Sequence, residues 1–366
     1  MKLHCVKDKI RNAVATADRV TNKNLSLPIL GSVLLSAEND VLTVRATNLD
    51  LGIEIKIPSR IEKKGVVAIP GNILNNFLSN ILDETVSFEV IDGNLAISTK
   101  NNATVIKSFP PDDFPTLPVV EKKNFFTVPA KKISDGLRSV WYSAGTSDIK
   151  PEIASVCVFT SGTNLFFTAT DSFRLAEKQI GFDGKEEVPT ILIPHKNALE
   201  ITKILEHAEG GDVQVFFNKN QIVFKHDALY VTSRLVDGVF PDYKQIIPKS
   251  FKTQVIVLKH DLLNSLKITN LFSDKFNQVL FTINPGRKLF EVTAKNADIG
   301  ENKTLLEAAL SGEPVKMQFN QRYIADCFQS IPAESVSLEM NGEGKPLVIR
   351  GVGDQSFTYL VMPLNQ

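Results

Sequence analysis

The chain repeats one pattern of segments three times, and this repetition constrains its fold more than any other feature. Each copy has an apolar run, an alanine, a polar pair and a return to alternating polarity. The three stretches are TVRATNLDLGIEI (43–55), FTATDSFRLAEKQI (167–180) and EVTAKNADIGENK (291–303), with Ala46, Ala169 and Ala294 at the shared position. Successive alanines are 123 and 125 residues apart. Solenoid repeats are much shorter, so the pattern predicts three similar domains.

A second set of markers supports the same period. VVAIPGNILNNFL, TILIPHKNALEIT and VKMQFNQRYIADCF place Pro70, Pro194 and Asn320 at matching positions. The proline-rich stretches 109–118 and 239–248 resemble each other and are typical of linkers between domains. We therefore expect domains at residues 1–123, 124–248 and 249–366, with boundaries near Lys123 and Pro248.

The order of helical and strand patterns is similar in each copy. A helical segment is expected first; in the second copy Ile133, Leu137, Val140 and Trp141 recur at helical spacing. Strands, a second helix and further strands follow, including residues 212–236, whose turn at Asn218–Asn220 favours a hairpin. Two helices and many antiparallel strands per copy predict an α+β fold.

Composition excludes several classes of protein. The chain of 366 residues has 41 basic and 41 acidic side chains, so its net charge gives no support for a strongly basic nucleic-acid surface. No apolar run approaches the roughly 20 residues of a membrane span, and the N-terminus MKLHCVKDKIRN lacks the apolar core of a signal peptide. The three distant cysteines predict reduced, partly buried thiols in a cytoplasmic protein. A nucleophilic role for one of them is the alternative.

Catalytic patterns are missing from the sequence. It contains no P-loop and no complete dinucleotide fingerprint, and none of its five histidines has a partner at zinc-site spacing. Asp171, Ser172 and His195 could be imagined as a triad, but no nucleophile-elbow pattern accompanies them. We therefore expect a binding protein without a metal or cofactor, and keep an enzyme using Asp171 and His195 as an alternative.

The segment ATDSFRLA (169–176) places a charged Arg174 between Phe173 and Leu175. One interpretation is a strand whose alternation puts Arg174 on the solvent side. The other is a binding groove in which the guanidinium is a polar handle.

Several segments together resemble the bacterial replicative sliding clamp family, the β subunit of DNA polymerase III. They are LPILGSVLLSAENDVLTVRATNLDLGIEI, TATDSFRLA, LVDGVFPDY, SDKF and the terminal YLVMPLNQ, and the resemblance covers essentially the whole chain. It implies a head-to-tail homodimer that forms a six-domain DNA-clamp ring, with helices lining the hole and sheets outside. Such a ring holds double-stranded DNA by topology, without reading its sequence, and is a non-catalytic processivity factor in DNA replication. The alternative is a clamp-like peptide-binding scaffold that is not loaded onto DNA.

The resemblance also implies a groove between the second and third domains. It would bind short peptide motifs of the replicative DNA polymerase, the clamp loader and repair proteins. The matching positions are Ile153, Thr170, Ser172, Phe173, Arg174, Leu175, Pro241, Gln245, Ile246, Phe276, Asn320, Tyr323, Gly344, Pro346, Leu360, Val361, Met362, Pro363 and Leu364. Arg174 would supply donors to the peptide, and the flexible Met362 would suit several partners. Simple strand packing is the alternative for Val361, Met362 and Leu364.

Two further surfaces follow from the resemblance. The DNA-facing positions would be Lys23, Asn24, Ser147, Lys150, His195 and Lys196, and the dimer interface would join Thr104, Ile106 and Lys107 to Leu271, Phe272 and Ser273 of a second copy. For Leu271 and Phe272, the end of a core helix is the alternative. The chain departs from the family pattern at Asn24, Ser172, Phe173, His195, Gln245 and the terminal Asn365-Gln366. We expect a groove that is more apolar and less basic than usual.

Overall fold

The computed structural model describes residues 1–21, 26–121, 125–184, 187–207 and 210–364. The predicted boundary between residues 123 and 124 lies outside the described residues. So do Lys23 and Asn24, and the terminal Asn365-Gln366.

Among the described residues, each sequence repeat contributes two α-helices and a set of strands. The first contains β1 (Lys2–Val6), α1 (Lys7–Asp18), β2 (Ser32–Glu38), β3 (Val41–Thr47), β4 (Leu51–Pro58), β5 (Arg60–Lys63), β6 (Gly65–Pro70), α2 (Gly71–Asn80), β7 (Thr85–Ile91), β8 (Asn94–Ser98) and β9 (Ala103–Ile106). The second contains β10 (Phe125–Pro129), α3 (Ala130–Val140), β11 (Ser155–Ser161), β12 (Asn164–Thr170), β13 (Arg174–Gly181), β14 (Ile191–Pro194), α4 (His195–Glu206), β15 (Asp212–Phe217), β16 (Gln221–His226) and β17 (Leu229–Arg234). The third contains β18 (Thr253–Leu258), α5 (Lys259–Asn270), β19 (Gln278–Asn284), β20 (Leu289–Asn296), β21 (Gly300–Leu305), β22 (Ala308–Gly312), β23 (Val315–Asn320), α6 (Gln321–Asp326), β24 (Ser335–Met340), β25 (Leu347–Gly351) and β26 (Phe357–Val361).

The α+β prediction is confirmed, but each copy starts with a strand rather than a helix. β1, β10 and β18 precede the first helix of their copies. These strands are short, and β10 alternates exposed and buried residues as a half-buried strand should. The predicted helix at the start of the second copy ends at Val140, and Trp141–Ser143 continues it as a single 3-10 turn.

One compact unit comprises residues 1–134 and 200–235. It contains a five-stranded sheet of order β5-β1-β7-β8-β9 and an eight-stranded sheet of order β10-β15-β16-β17-β4-β3-β2-β6. Strand β17 of the second repeat pairs with β4 of the first, from Leu229 opposite Ile55 to Ser233 opposite Leu51. The sheet therefore crosses from one repeat to the next.

The other compact unit comprises residues 135–199 and 236–366. It contains a nine-stranded sheet of order β14-β11-β12-β13-β26-β25-β24-β18-β22 and a four-stranded sheet of order β21-β20-β19-β23. Here β13 of the second repeat pairs with β26 of the third, with Arg174 opposite Val361 and Leu175 opposite Leu360. Because sheets continue across the repeats, the compact units do not coincide with the three sequence copies.

The proline-rich stretches are packed segments rather than free linkers. Phe109 and Phe114 of the first stretch pack into a cluster with Leu30 and Leu34. In the second stretch, Phe240 and Tyr243 join a buried cluster with Leu175 and Leu360. The aromatic side chains explain why these stretches are packed and are not free linkers, since burial of such large apolar groups stabilises the fold.

The three cysteines are free and buried. Burial raises the pKa of the Cys5 and Cys157 thiols from 9.0 to about 12, and also raises that of Cys327. These thiols are therefore protonated at neutral pH, which disfavours the nucleophilic alternative. Among the residues that the structure describes, no helix has the length and hydropathy to cross a bilayer.

Candidate functional site

The turn between β12 and β13 is shaped by the side chains of Thr170 and Asp171. Thr170 Oγ1 accepts a hydrogen bond from Ser172 N at 3.1 Å and donates to Arg174 O at 2.7 Å. Asp171 Oδ1 accepts from Phe173 N and Arg174 N, both at 2.9 Å. Ser172 lies in the left-handed region at φ 78°, and Phe173 at the tip is 61% exposed.

The first repeat builds the same turn. Thr47 Oγ1 accepts from Leu49 N and donates to Leu51 O, both at 3.0 Å, and Leu49 also has φ 78°. Leu49 therefore corresponds to Ser172, and Leu51 corresponds to Arg174. Two copies thus share one turn geometry, but an arginine stands in the second where a buried leucine stands in the first.

The side chain of Arg174 lies inside the protein and is only 12% exposed. Nε donates to Asp171 Oδ2 at 2.9 Å, Nη1 to Asp326 Oδ2 at 2.6 Å, and Nη2 to Tyr142 O at 2.6 Å. The guanidinium also lies over the Tyr323 ring, 4.4 Å from its centroid. The interpretation that alternation puts Arg174 on the solvent side is therefore wrong.

Burial alone would lower the pKa of the Arg174 guanidinium. Its neighbours, including the carboxylates of Asp171 and Asp326, outweigh burial and raise that pKa above its ordinary value. Arg174 is thus a permanent cation that ties the turn to α6 and to the 3-10 turn after α3.

An apolar cavity of about 150 Å³, partly open to solvent and named the enclosed cavity to set it apart from the wider groove described next, lies beside Arg174. It is lined by Thr170, Ser172, Phe173, Arg174, Leu175, Pro241, Asp242, Tyr243, Ile246, Leu360 and Met362. Leu175 and Leu360, which pair across β13 and β26, form its floor. At the rim, Met362 N donates to Phe173 O at 2.8 Å, and the Met362 residue is 37% exposed. The cavity has the size and lining for one or two aliphatic or aromatic anchors of a ligand.

A second, more open groove of about 680 Å³ shares Ser172, Phe173 and Arg174 with this cavity. The rest of its lining comes from Ala144, Gly145, Thr146, Ser147, Ile149, Lys150, Ile153, Asp171 and Tyr323. Phe173 contributes to the walls of both spaces, so an extended ligand could fill them in sequence.

The structure brings many of the predicted groove residues together. Nine of them line the enclosed cavity, and Ile153 and Tyr323 line the open groove. The remaining predicted residues line neither space: Gln245, Phe276, Asn320, Gly344, Pro346, Val361, Pro363 and Leu364. Their roles in binding stay predictions.

Local contacts show what some of these residues do instead. Val361 is fully buried within the nine-stranded sheet, as the alternative of strand packing requires. Asn320 Oδ1 caps α6 by accepting from Arg322 N at 3.0 Å, and Gln245 Nε2 donates to Asp242 Oδ2 at 2.6 Å. Leu364 N donates to Gln318 O at 2.8 Å.

The sequence prediction missed Asp242 and Tyr243, which line the enclosed cavity, and Asp171, which lines the open groove. A signal was available at Tyr243, because an aromatic residue inside a supposed linker needs a partner to pack against. The prediction placed Pro241, Gln245 and Ile246 of this stretch in the groove but did not include Tyr243.

The predicted DNA-facing residues fall in two places. Ser147 and Lys150 lie in the exposed loop that borders the open groove. His195 begins α4, where its Nδ1 lies 3.2 Å from Ala154 O, and Lys196 beside it is exposed. Contact with DNA stays a prediction for all four.

The predicted interface residues lie at or near two sheet edges. Thr104 and Ile106 belong to β9, the edge strand of the five-stranded sheet, and Lys107 follows it. Ile106 is 7% exposed, so it packs within its own sheet, whereas the neighbouring Val105 is 63% exposed and was not predicted. Val105 is the apolar side chain that this edge presents to solvent.

The other predicted set follows α5, in the unit that contains the four-stranded sheet with edge strand β21. Leu271 is the C-cap residue of α5, as the alternative requires, but its own side chain is not buried and is 68% exposed. Phe272 N and Ser273 N donate to backbone carbonyls of the last helical turn. The exposure of Leu271 leaves an apolar side chain available for a partner.

A metal centre finds no support in the described part of the chain. No group of three or more histidine, cysteine, aspartate or glutamate side chains is placed to hold an ion there.

Comparison with known proteins identifies the family. Models of the DNA polymerase III beta subunit match in order: the N-terminal domain at residues 1–118, the central domain at 127–242 and the C-terminal domain at 244–365. A beta sliding clamp of Synechocystis sp. is 29% identical, over 100% of this chain and 99% of its own length.

Solved structures share the fold. The DNA polymerase sliding clamp of Bacillus subtilis aligns with a TM-score of 0.93 at 24% identity, covering 100% of this chain and 99% of that one. The DNA polymerase III beta subunit of Thermotoga maritima aligns with a TM-score of 0.94 at 23% identity, with the same coverage. The prediction of three similar clamp domains is confirmed. The chain therefore belongs to the DNA polymerase III beta subunit family, the bacterial β sliding clamps.

Proposed function

We propose that this DNA sliding clamp works as a closed, head-to-tail homodimeric ring that tethers its partners to duplex DNA through the groove beside Arg174. It is a non-catalytic processivity factor, as its family membership implies. The partners are the replicative DNA polymerase, the clamp loader and repair proteins, each bound by a short peptide motif. We assign it to the cytoplasm and retain domains at residues 1–123, 124–248 and 249–366.

The enclosed apolar cavity is the observation that carries the tethering part of this proposal. Leu175, Leu360 and Met362 offer aliphatic contacts, while the adjoining open groove is bordered by Lys150 and Tyr323. A peptide with spaced aliphatic residues and a terminal aromatic residue fits such a surface, since anchors in a pocket supply most of the binding energy. Arg174 supports the turn that holds Phe173, and three of its N–H groups are already engaged.

Weak contact with DNA is supported by the carboxylates that lie beside some of the helical basic residues. In α1, Lys7 and Arg11 lie near Asp8, at 2.9 Å and 3.7 Å. In α4, Lys203 contacts Glu200 at 2.7 Å. Such partly neutralised cations give a shallow, sequence-independent attraction to phosphates, which suits movement along the duplex.

Ring closure is supported by the two sheet edges. Edge strands such as β9 and β21 expose backbone N–H and C=O groups that can pair with another chain. Exposed apolar side chains lie on both, Val105 on β9 and Leu305 at the end of β21. Pairing β9 of one copy with β21 of another would remove both edges and cover these side chains.

Retention on DNA tests the proposal. Labelled protein is loaded by its clamp loader onto closed circular duplex DNA, and the DNA is then cut at one site. A topologically bound ring stays on the circle in high salt and leaves once the DNA is linear. Equal retention on circular and linear DNA, or no loading at all, would favour the alternative of a peptide-binding scaffold and contradict the proposal.

A further inference from the structure

The wall of the enclosed cavity is a connecting segment rather than part of a sheet. Pro241, Asp242, Tyr243 and Ile246 line it, and its regular structure is a 3-10 turn at Tyr243–Ile246. A short turn of this kind has few backbone hydrogen bonds of its own. Side-chain contacts to the neighbouring sheet must therefore hold the wall at its distance from the floor.

Strand β13, which contributes Leu175 to the cavity floor, also carries a buried acidic residue, Glu177. Leu175 and Glu177 lie two positions apart on β13, so they share one face of the strand. Glu177 pairs with Thr168 of β12 and Thr358 of β26, in the interior of the nine-stranded sheet, and is only 5% exposed. An acidic residue is almost never buried to this degree without hydrogen-bond donors that compensate its lost hydration.

Two donors satisfy this carboxylate. Gln179 Nε2 donates to Oε1 at 3.0 Å, and the Tyr243 hydroxyl donates to Oε2 at 2.5 Å. Burial and the adjacent Glu177 raise the pKa of Tyr243, so its phenol remains a protonated donor throughout the physiological range. The bond joins a wall residue of the cavity to the strand that forms its floor.

The same segment has a second attachment through the next residue, Lys244. Lys244 Nζ lies 5.3 Å and 5.0 Å from the ring centroids of Phe159 and Phe166, which are stacked on each other. Tyr243 is therefore a buried anchor, and the exposed Lys244 adds a contact to the two rings, while Pro241 and Ile246 are left to face a ligand.

We infer that Glu177 is a positioning residue of the peptide groove, which fixes the wall through Tyr243 and thereby sets the affinity for partner peptides. The inference rests on the proposed function of the groove. Without the bond, the wall samples positions that narrow or widen the cavity. The apparent affinity then falls in proportion to the fraction of molecules with the wall in place.

The test is a titration of the full-length protein with a labelled peptide that contains a glutamine, spaced aliphatic residues and a terminal phenylalanine. Tyr243→Phe keeps the ring and removes the donor, and we expect it to raise Kd by about tenfold, the range of one hydrogen bond to a charged group. Glu177→Leu should have a similar effect. Tyr230→Phe is the matched control, because it also removes a tyrosine hydrogen bond, to Pro118 O at 2.9 Å, but outside the groove.

Two further variants separate positioning from a loss of folding. Glu177→Gln keeps an acceptor for Tyr243, so it should bind the peptide almost as tightly as the wild type does. Glu177→Leu lacks this acceptor and should bind more weakly. The double variant Tyr243→Phe/Glu177→Leu should bind no more weakly than either single one, because both changes delete the same bond.

The outcomes distinguish this inference from the function on which it rests. The wild-type protein could bind the peptide, with folded Met362→Ala binding it more weakly and folded Tyr243→Phe binding it as tightly as the wild type. That result would overturn the positioning role alone. Additive effects in the double variant, or equal losses in Glu177→Gln and Glu177→Leu, also overturn it. Failure of the wild-type protein to bind the peptide overturns the groove itself and the inference with it.

Discussion

Arg174 occupies in the second repeat the place that Leu51 occupies in the first. Both follow a threonine-capped turn in which the third residue has φ 78°, and both begin a strand. The leucine is buried among apolar groups, whereas the arginine reaches Asp171, Asp326 and the carbonyl of Tyr142. A duplicated turn has thus acquired a polar network in the copy that borders the groove.

Replacing this arginine should be costly. Arg174→Leu leaves Asp171, whose side chain is 15% exposed, without its cationic partner, and leaves the Tyr142 carbonyl without a donor. We expect the free energy of unfolding to fall by about 2–4 kcal/mol, as for breaking a largely buried pair. Urea denaturation followed by circular dichroism measures the change.

Arg45→Leu is the control for that measurement. Arg45 also sits on a strand and contacts a carboxylate, that of Glu54, at 2.6 Å, but its side chain is 40% exposed. The Glu54 side chain is only 17% exposed, but it keeps a second cation, Lys56, at 3.4 Å, so losing Arg45 should cost less than about 1 kcal/mol. Equal losses in the two variants would show that the network around Arg174 has no special role in stability.

Met362→Ala should weaken binding of the partner peptide. Met362 lines the enclosed cavity and its backbone is fixed by Phe173 O, so truncation removes contact area without releasing the strand. We expect a loss of about 1 kcal/mol or more, typical of a central interface residue. Fluorescence anisotropy gives the affinity, and Val352→Ala serves as control because Val352 is similarly exposed but lies outside both spaces. Unchanged affinity in a folded Met362→Ala would argue against the site.

The resemblance to the clamp family predicted which residues line the site, including distant ones such as Leu360 and Met362, but it did not predict the contacts among them. Thr170, Ser172, Phe173, Arg174 and Leu175 were predicted together, but the role of Asp171 in shaping their turn was not. Arg174 and Asp326 are 152 positions apart, and nothing in either segment indicates that they pair. In the wall at 241–246, Pro241 and Ile246 were predicted to line the groove, whereas Asp242 and Tyr243 were missed.

Strand β26 shows a second limit of sequence patterns. All five of its residues are buried, including Leu360 and Val361. Alternation reveals the orientation of a side chain only when one face of a sheet is solvated. The sequence therefore could not show that Leu360 lines the cavity and Val361 does not. The sequence also could not show the two compact units. Their sheets join strands of different repeats, and no short segment of sequence indicates that pairing.

The buried thiols should be unreactive until the protein unfolds. At pH 8, Cys5 and Cys157 are protonated because their pKa values are about 12, and Cys327 is also buried with a raised pKa. A disulfide reagent should label none of the three in the native state and all three in urea. Labelling of the folded protein within minutes would contradict this burial.

The same thiols make stability depend on alkaline pH. Their folded pKa values exceed the ordinary 9.0, so the folded state holds protons that the unfolded state releases first. The contribution of the protonated thiols to the free energy of unfolding is complete below pH 9 and is lost progressively as the pH rises toward 12. Urea midpoints measured between pH 8 and 10.5 should therefore decline, and Cys157→Ala should reduce the slope. A flat profile in the wild-type protein would contradict the assignment.

Phe272→Asp should open or dissociate the ring. Phe272 follows the exposed Leu271 at the end of α5, and a carboxylate there would have to be buried without a partner if the proposed interface formed. We expect the variant to sediment as a monomer at low concentration where the wild type is a dimer, and to be lost from circular DNA. Val352→Asp introduces the same charge at an exposed site away from the predicted interface and should leave the dimer intact. A dimer that survives Phe272→Asp at nanomolar concentration would contradict the placement of Phe272 in the interface, and the exposed Val105 on β9 would then be the next position to test.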